Sequence, residues 1–163
     1  MPTESASAVV FSQDCKQVLL VKRADFHVWV LPGGMIDKDE SPADAAIRET
    51  QEETGYKVAI DRFVGKYWNP RTRRGGNLQH AYEAHIIGGT AIQEGAETLA
   101  VGFFLIDQLP AGIVNWNRQI IADAVAKFPN PADRIIQIPL WQVILLYIGL
   151  EIRDWHNKHF LKP

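Results

Sequence analysis

The sequence predicts an α/β domain in which β-strands pack against helices, followed by a C-terminal apolar helix. Three observations support this. Short apolar segments separated by polar turns are typical of strands in the first part of the chain. A capped helix is predicted over residues 42–54, and an amphipathic helix over residues 115–128. Alternation of strands and helices is the pattern of a layered α/β architecture.

Composition indicates one globular domain and excludes several classes of protein. The chain has 163 residues, of which 47% are hydrophobic and 22% charged. A net charge of −2 argues against nucleic acid as a bulk partner, because no basic excess is present to neutralise phosphates. A single cysteine, Cys15, excludes an intramolecular disulfide framework. With no basic, apolar signal sequence at the start, we expect a cytoplasmic protein.

The first elements are strands. Residues 6–11 and 17–23 are apolar and flank a polar turn, so we expect them to pair antiparallel. Arg23 ends the second strand, where it can form a surface ion pair or contact a substrate phosphate. Residues 28–34 are expected to form a short strand that stops at Pro32 and the two glycines after it.

Local signals define the helix over residues 42–54. Ser41 is a good N-cap and Pro42 suits the first helical position. Asp44 can complete a capping box with Ser41. Gly55 is expected to end the helix in a left-handed conformation.

This helix carries three carboxylates on one side. Glu49, Glu52 and Glu53 are spaced i, i+3 and i+4, so they project in the same direction and repel one another. A helix face with this many carboxylates is often only a solvent-exposed surface without a ligand. A divalent cation would also remove the repulsion, and hard oxygen ligands favour Mg²⁺ or Mn²⁺ over zinc.

The spacing around these carboxylates is specific. Gly34 is followed after five residues by Glu40 and, after seven more, by Arg-Glu-Thr-Gln-Glu-Glu-Thr-Gly-Tyr from Arg48 to Tyr56. This pattern resembles the Nudix box, G-x5-E-x7-R-E-U-x-E-E-x-G-U, in which U is a bulky apolar residue. Every fixed position matches. Thr50 departs from the usual aliphatic residue, at a position that concerns packing rather than chemistry.

The resemblance implies a Nudix α/β/α sandwich, with a mixed sheet between helices, and a hydrolase that depends on Mg²⁺ or Mn²⁺. It implies that Glu40 braces the loop and that Arg48 positions a carboxylate, for example by an i, i+4 pair to Glu52. The implied metal ligands are the Gly34 carbonyl and the side chains of Glu49, Glu52 and Glu53. The proton of the attacking water would pass to Glu52 or Glu53, with Glu97 as a further catalytic carboxylate.

Two strands after the helix are expected to flank a basic loop. One or two strands are predicted within residues 57–68 and another over residues 78–88, with residues 69–77 between them. The loop is either a solvated basic turn or a substrate surface that combines base stacking with phosphate contacts. Its candidate substrate-binding residues are Tyr67, Arg71 and Arg73.

The remaining elements complete the domain. Residues 90–99 form an acidic loop before a strand at residues 101–106, and this loop contains Glu97, with Glu94 as a second choice. In the helix over residues 115–128 we expect Ile120, Ala124 and Phe128 to share one apolar face.

The C-terminal segment extends beyond a minimal Nudix domain. We place a Nudix domain in residues 1–130 and a helical extension in residues 131–163, packed on the domain or on a partner subunit. Residues 139–150 are apolar on nearly every face but too few to cross a bilayer. A homodimer interface is the leading interpretation. A membrane-surface anchor and packing within the chain remain alternatives.

The reaction implied by the resemblance is hydrolysis of a nucleoside diphosphate linked to another moiety. The W-x-L-P-G-G segment, Pro70 and the D-x-L-P segment at residues 107–110 favour ADP-ribose or a nucleotide sugar. The alternatives are a MutT-like enzyme acting on oxidised nucleoside triphosphates and a nucleotide-binding sensor without turnover.

Overall fold

The computed structural model describes residues 3–71, 75–92 and 98–137. The predicted C-terminal helix, Arg73, Glu94 and Glu97 lie outside these residues. The elements in chain order are β1 (Thr3–Val10), β2 (Gln17–Arg23), β3 (Trp29–Val30), β4 (Gly33–Met35), α1 (Pro42–Thr54), β5 (Tyr56–Asn69), β6 (Asn77–Gly89), β7 (Thr98–Leu105), α2 (Asn115–Ala126) and β8 (Ala132–Ile135).

Two sheets form the centre of the described part of the protein. The larger has the order β4-β1-β6-β5-β8 and is mixed, because β1 pairs parallel with β6 and β5 pairs parallel with β8. The smaller is antiparallel and has the order β3-β2-β7. The predicted α/β architecture with a mixed sheet is therefore confirmed.

The two helices pack on opposite faces of the larger sheet. Ala45 and Ala46 of α1 contact Ala6, which points to one face of β1. Ile120 of α2 belongs to the apolar core that includes Val9, which points to the other face of β1. Successive side chains of a strand alternate between faces, so the sheet lies between α1 and α2.

Helix α1 has the predicted bounds and caps. The Ser41 hydroxyl accepts a hydrogen bond from the Asp44 N–H at 3.2 Å, and Pro42 begins the helix. Gly55 has φ 78°, and its N–H donates to the Gln51 carbonyl at 2.9 Å. Because its start and stop are local signals, the helix could be predicted residue by residue.

The pairing predicted for the first two strands is wrong. β1 and β2 belong to different sheets, and a single antiparallel bridge between Phe11 and Val18 connects them. A strand has only two edges for hydrogen bonds. β6 pairs along one edge of β1 and the short strand β4 occupies part of the other, while β2 pairs with β3 and β7 instead.

Two other sequence expectations also need correction. The strand expected over residues 28–34 is split at Pro32, which cannot donate a ladder hydrogen bond, into β3 and β4 of different sheets. Phe128 does not share the buried face of α2. The helix ends at Ala126, Lys127 adopts a left-handed φ of 48°, and Phe128 is 51% exposed.

The larger sheet continues past residue 130, where the sequence suggested a domain boundary. β8 pairs with β5, and Arg134 of β8 lies beside Tyr67. Within the described part of the chain, no helix is long and apolar enough to cross a membrane.

Tyr67 is a core residue, which corrects its assignment to substrate binding. Its side chain is fully buried, and its hydroxyl donates to Asp123 at 2.9 Å. Asp123 also accepts both hydrogen bonds of the Arg134 guanidinium at 2.6 Å and one from Gln119 at 3.1 Å. A ring buried in this way between β5, β8 and α2 has no open face on which a base could stack.

The protonation of this network follows from burial and pairing. Burial, together with the adjacent Asp123 carboxylate, raises the pKa of Tyr67. Burial alone would raise the pKa of Asp123, but hydrogen bonds from Arg134, Tyr67 and Gln119 lower it below its ordinary value. The carboxylate therefore stays ionised and connects α2 to the end of the sheet.

We predict that Tyr67→Phe lowers the free energy of unfolding by about 1.5 kcal/mol, because a buried charged acceptor loses one donor. Urea unfolding measures the change. Tyr82→Phe, which removes the hydroxyl of a half-buried tyrosine on β6, is the control and should change stability by less than about 0.5 kcal/mol. Turnover should be unchanged in Tyr67→Phe, and a loss of substrate affinity in folded protein would restore a direct role in binding.

Candidate active site

The candidate site forms where α1 lies beside β4 and the loop that joins them. Arg48 on α1 is at its centre. Its Nε donates to Glu40 Oε1 at 2.8 Å, and its Nη2 donates to Glu40 Oε2 at 3.0 Å and to the Met35 carbonyl at 3.1 Å. Its Nη1 donates to Glu49 at 2.8 Å and to Glu52 at 3.1 Å. One guanidinium therefore binds the loop and two carboxylates of the helix.

Glu40 braces the loop, as predicted. It accepts two hydrogen bonds from Arg48 and a third from the Asp37 N–H at 3.0 Å. These bonds, the Arg48 pair above all, lower the pKa of Glu40 from 4.5 to about 2. Hydrogen bonding to Glu40 in turn raises the pKa of Arg48 above its ordinary value.

The three carboxylates of the predicted metal site differ in their surroundings. The Glu49 side chain is 17% exposed and the Glu52 side chain is 60% exposed, and both contact Arg48 Nη1. Glu53 accepts a hydrogen bond from the Gly33 N–H at 2.9 Å. The predicted i, i+4 pair between Arg48 and Glu52 is present.

Glu49 lies directly against Gly34, where the absence of a side chain leaves room for its carboxylate. A Cβ atom added there would meet the Glu49 carboxylate, with Glu49 Oε2 only 2.7 Å away. The Glu49 carboxylate and the backbone of β4 are therefore in close contact, and a side chain at position 34 would have to displace that carboxylate.

The donor set suits a hard divalent cation. Glu49, Glu52, Glu53 and the Gly34 carbonyl offer only oxygen, the ligand type that Mg²⁺ and Mn²⁺ prefer. Among the described residues, no three His, Cys, Asp or Glu side chains are already close enough together to bind a metal. The contacts explain this, because Glu49 and Glu52 are paired with Arg48 while Glu53 binds the Gly33 amide.

Two predicted substrate-binding residues lie on the surface. Arg23 donates to Asp25 from Nε at 2.9 Å and from Nη2 at 2.8 Å, which gives it the ion pair that the sequence offered as one alternative. Arg71 is exposed at the start of the loop after β5, where its N–H donates to Asn69 at 3.1 Å. Neither Arg48 nor a carboxylate of α1 takes part in these hydrogen bonds.

Sequence reasoning missed one residue that positions the site. Asn117, on α2, is buried and accepts a hydrogen bond from the Leu31 N–H at 2.6 Å. It connects α2 to the Leu31-Pro32-Gly33 segment that leads into β4. An asparagine inside an amphipathic helix gives no sequence signal for this role, because its partner is 86 residues away.

A shallow cavity of about 550 Å³ opens along the outer side of α1. Its lining includes Arg48 and Glu52, so it adjoins the carboxylate cluster. The other residues that line it are Glu40, Asp44, Ile47 and Gln51.

We predict a pH-dependent contribution to stability from Glu40. Its lowered pKa means that the ionised form stabilises the fold above pH 4.5 and that this contribution disappears as the pH falls towards about 2. Glu40→Gln should therefore be less stable than wild type at about pH 7, and the difference should shrink by about pH 3. Urea midpoints across this range measure it.

The control is Asp39→Asn, which removes an exposed carboxylate from the same loop. The difference in stability between Asp39→Asn and wild type should not shrink as the pH falls towards about 3. A difference between Glu40→Gln and wild type that stays constant down to about pH 3 would contradict the role given to the Arg48 pair.

Comparison with known proteins agrees with this geometry. The family model described as the NUDIX domain matches residues 1–124. The chain is 40% identical over 121 residues to a Bacillus subtilis protein named "Putative 8-oxo-dGTP diphosphatase", covering 74% of this chain and 78% of that protein. It is 31% identical over 98 residues to an ADP-ribose pyrophosphatase of Methanocaldococcus jannaschii, covering 58% of this chain and 57% of that protein.

Solved structures show the same fold. An ADP-ribose pyrophosphatase from Streptococcus suis superimposes with a TM-score of 0.63 at 26% identity, covering 83% of this chain and all of that one. The family match spans β1 to α2 and includes the carboxylate helix with its bracing arginine. The chain therefore belongs to the Nudix family of pyrophosphohydrolases.

Proposed function

We propose that this protein is a Mg²⁺-dependent hydrolase that cleaves the pyrophosphate of a nucleoside diphosphate linked to another group. The observation that carries the proposal is the contact between the Glu49 carboxylate and the glycine backbone of β4. This contact of an acidic side chain of α1 with the edge strand β4, in the residue pattern of a Nudix box, supports the proposed metal site.

The residues have separate roles in this proposal. Glu49, Glu52, Glu53 and the Gly34 carbonyl would bind the ion, with Mn²⁺ as an alternative to Mg²⁺. When bound, the ion would neutralise the phosphate oxygens and lower the pKa of the attacking water. Glu52 or Glu53 would accept the proton of that water, assisted by Glu97.

Arg48 acts through other residues rather than on the substrate. Its Nη1 atom pairs with both Glu49 and Glu52, and its pair with Glu40 holds the loop against the helix. We propose that Arg23, Arg71 and Arg73 contact substrate phosphates, since arginine pairs well with phosphate oxygens.

For the substrate we propose ADP-ribose or a nucleotide sugar. The similarity to ADP-ribose pyrophosphatases in both sequence and structure supports this choice. So does Pro70, which directly follows β5 at the start of the loop. In this reaction, attack on the pyrophosphate releases a nucleoside monophosphate and a sugar phosphate.

A second candidate substrate is an oxidised nucleoside triphosphate. It is favoured by the 40% identity to the Bacillus subtilis relative, whose name refers to 8-oxo-dGTP. The products would then be a nucleoside monophosphate and pyrophosphate. A sensor that binds a nucleotide without turnover is a weaker candidate, because all of the box carboxylates are retained.

Two properties of the whole protein also remain proposals. We propose that it acts in the cytoplasm, because a chain with a single cysteine suits a reducing compartment. We propose a homodimer in which the apolar segment at residues 139–150 contributes to the interface, because so apolar a segment should be covered.

A substrate panel tests the reaction and separates the candidates. Purified protein is incubated with Mg²⁺ and ADP-ribose, nucleotide sugars, dinucleoside polyphosphates, deoxynucleoside triphosphates or 8-oxo-dGTP, and the products are separated. A sugar phosphate among the products identifies the first candidate, and pyrophosphate identifies the second. Folded protein that binds a nucleotide but cleaves none of these substrates would favour the sensor.

We predict that Glu53→Gln retains the fold and reduces turnover at least about a hundredfold, because it removes a charged ligand and a possible proton acceptor. Steady-state kinetics on the preferred substrate measures the loss. Glu4→Gln, a change in the exposed carboxylate of β1, is the matched control and should keep wild-type turnover. Undiminished turnover in folded Glu53→Gln would remove Glu53 from the mechanism.

A further inference from the structure

Four neutral polar side chains lie side by side on β1 and β6. We call Ser5, Ser7, Asn77 and Gln79 the polar strip. The two strands run parallel, with Ser5 beside Gln79. Gln79 Nε2 donates to Ser7 Oγ at 2.9 Å, and Asn77 Nδ2 donates to Ser5 Oγ at 2.8 Å. The side chains therefore form hydrogen bonds across the strand pair.

The polar strip occupies positions that would otherwise belong to the core. It faces the same side as Val9 and Ala81, which pack in the apolar core together with α2. Ser7 is 1% exposed, whereas the other three members are half-buried. The hydrogen bonds within the strip offset the cost of placing polar groups at these inward positions, so the sheet carries a neutral polar surface where apolar side chains would otherwise extend the core.

The polar strip adjoins the carboxylate cluster through β4. Ser7 pairs with Gly33, whose N–H donates to Glu53. A Cβ atom added at Gly33 would lie 2.7 Å from both Cα and Cβ of Ser7. Gly33 therefore lies between the polar strip and Glu53. Because it is glycine, no side chain separates the two.

Met35 borders the polar strip. It pairs with Ser5 across β1 and β4, so the two side chains share a face, and Met35 is 46% exposed. Its carbonyl accepts a hydrogen bond from Arg48. An exposed, polarizable thioether beside neutral hydrogen-bonding groups fits the face of a heterocycle.

The chemistry of the polar strip selects a neutral ligand. It carries hydroxyls and amides but no cation, so it is unsuited to phosphate. Within the described residues, the Oε1 atom of Gln79 accepts no hydrogen bond. The Gln79 side-chain amide and the serine hydroxyls together offer both donors and acceptors. Such a mixture matches the edge of a nucleobase.

We propose that the polar strip binds the nucleobase of the substrate and that Gln79 determines which base is preferred. This inference rests on the proposed function, because it assumes a nucleotide whose phosphates lie at the α1 carboxylates. The base would pack against Met35 and form hydrogen bonds with Gln79 and Ser5, on the sheet face opposite α1.

Equilibrium binding tests this inference without catalysis. The probes are the four nucleoside 5′-monophosphates and ribose 5-phosphate, which lacks a base, all in the presence of Mg²⁺. Wild type should bind one monophosphate at least about tenfold more tightly than ribose 5-phosphate. Gln79→Leu should abolish this preference and leave the affinity for ribose 5-phosphate unchanged.

Two further variants complete the design. Gln17→Leu makes the same replacement on β2, at a half-buried position of the other sheet, and should retain wild-type binding. If Gln79→Leu does not fold, Ser5→Ala removes only a hydroxyl and should weaken the preferred monophosphate by about threefold or more. Wild type that binds ribose 5-phosphate as tightly as every monophosphate, or Gln79→Leu with an unchanged order of bases, overturns the inference.

Hydrolysis distinguishes this failure from failure of the proposed function. If wild type cleaves no substrate but binds one base selectively, and Gln79→Leu abolishes that selectivity, the result would support the role of the polar strip and refute the hydrolase. Metal-dependent cleavage by both wild type and Gln79→Leu, with the same preference among bases, would support the hydrolase and refute the polar strip.

Discussion

The site depends on a single guanidinium. Arg48 pairs with Glu40, Glu49 and Glu52 and also donates to the Met35 carbonyl, so it connects α1, the loop before it and β4. Without this cation the carboxylates of α1 would repel one another and the loop would lose its brace. The same cation holds Glu49 and Glu52 together on one side of the helix, because its Nη1 atom donates to both.

Packing from both faces of the larger sheet fixes where this cluster meets the backbone. On one face, Ala45 and Ala46 are small enough to let α1 approach Ala6 of β1. On the other face, Asn117 of α2 binds the Leu31 N–H and so orients the segment that leads into β4. Glycine at position 34 then allows the Glu49 carboxylate to contact the strand backbone. Both helices therefore contribute to the geometry, although only α1 carries the carboxylates.

Features that depend on neighbouring residues could be predicted from the sequence. The bounds of α1, its caps and the common direction of its glutamates follow from local spacing, and the structure agrees with each. Strand pairing could not be predicted, because β1 joins β4 and β6 through residues distant in sequence. Tyr67 illustrates the same limit: its aromatic and basic neighbours suggested a binding surface, but its partner Asp123 is 56 residues away. Thr50 was assigned to packing, and it is fully buried with its hydroxyl bonded to the Ala46 carbonyl at 2.6 Å.

Metal binding by the α1 carboxylates is the central claim, and Mn²⁺ titration followed by electron paramagnetic resonance of the free ion tests it directly. We expect wild type to bind Mn²⁺, with Mg²⁺ competing for the same site. The double variant Glu49→Gln/Glu52→Gln should lose this binding while remaining folded, because it removes two charged oxygen ligands. Equal binding of Mn²⁺ by the double variant and wild type would contradict the assignment of the metal site to this face of α1.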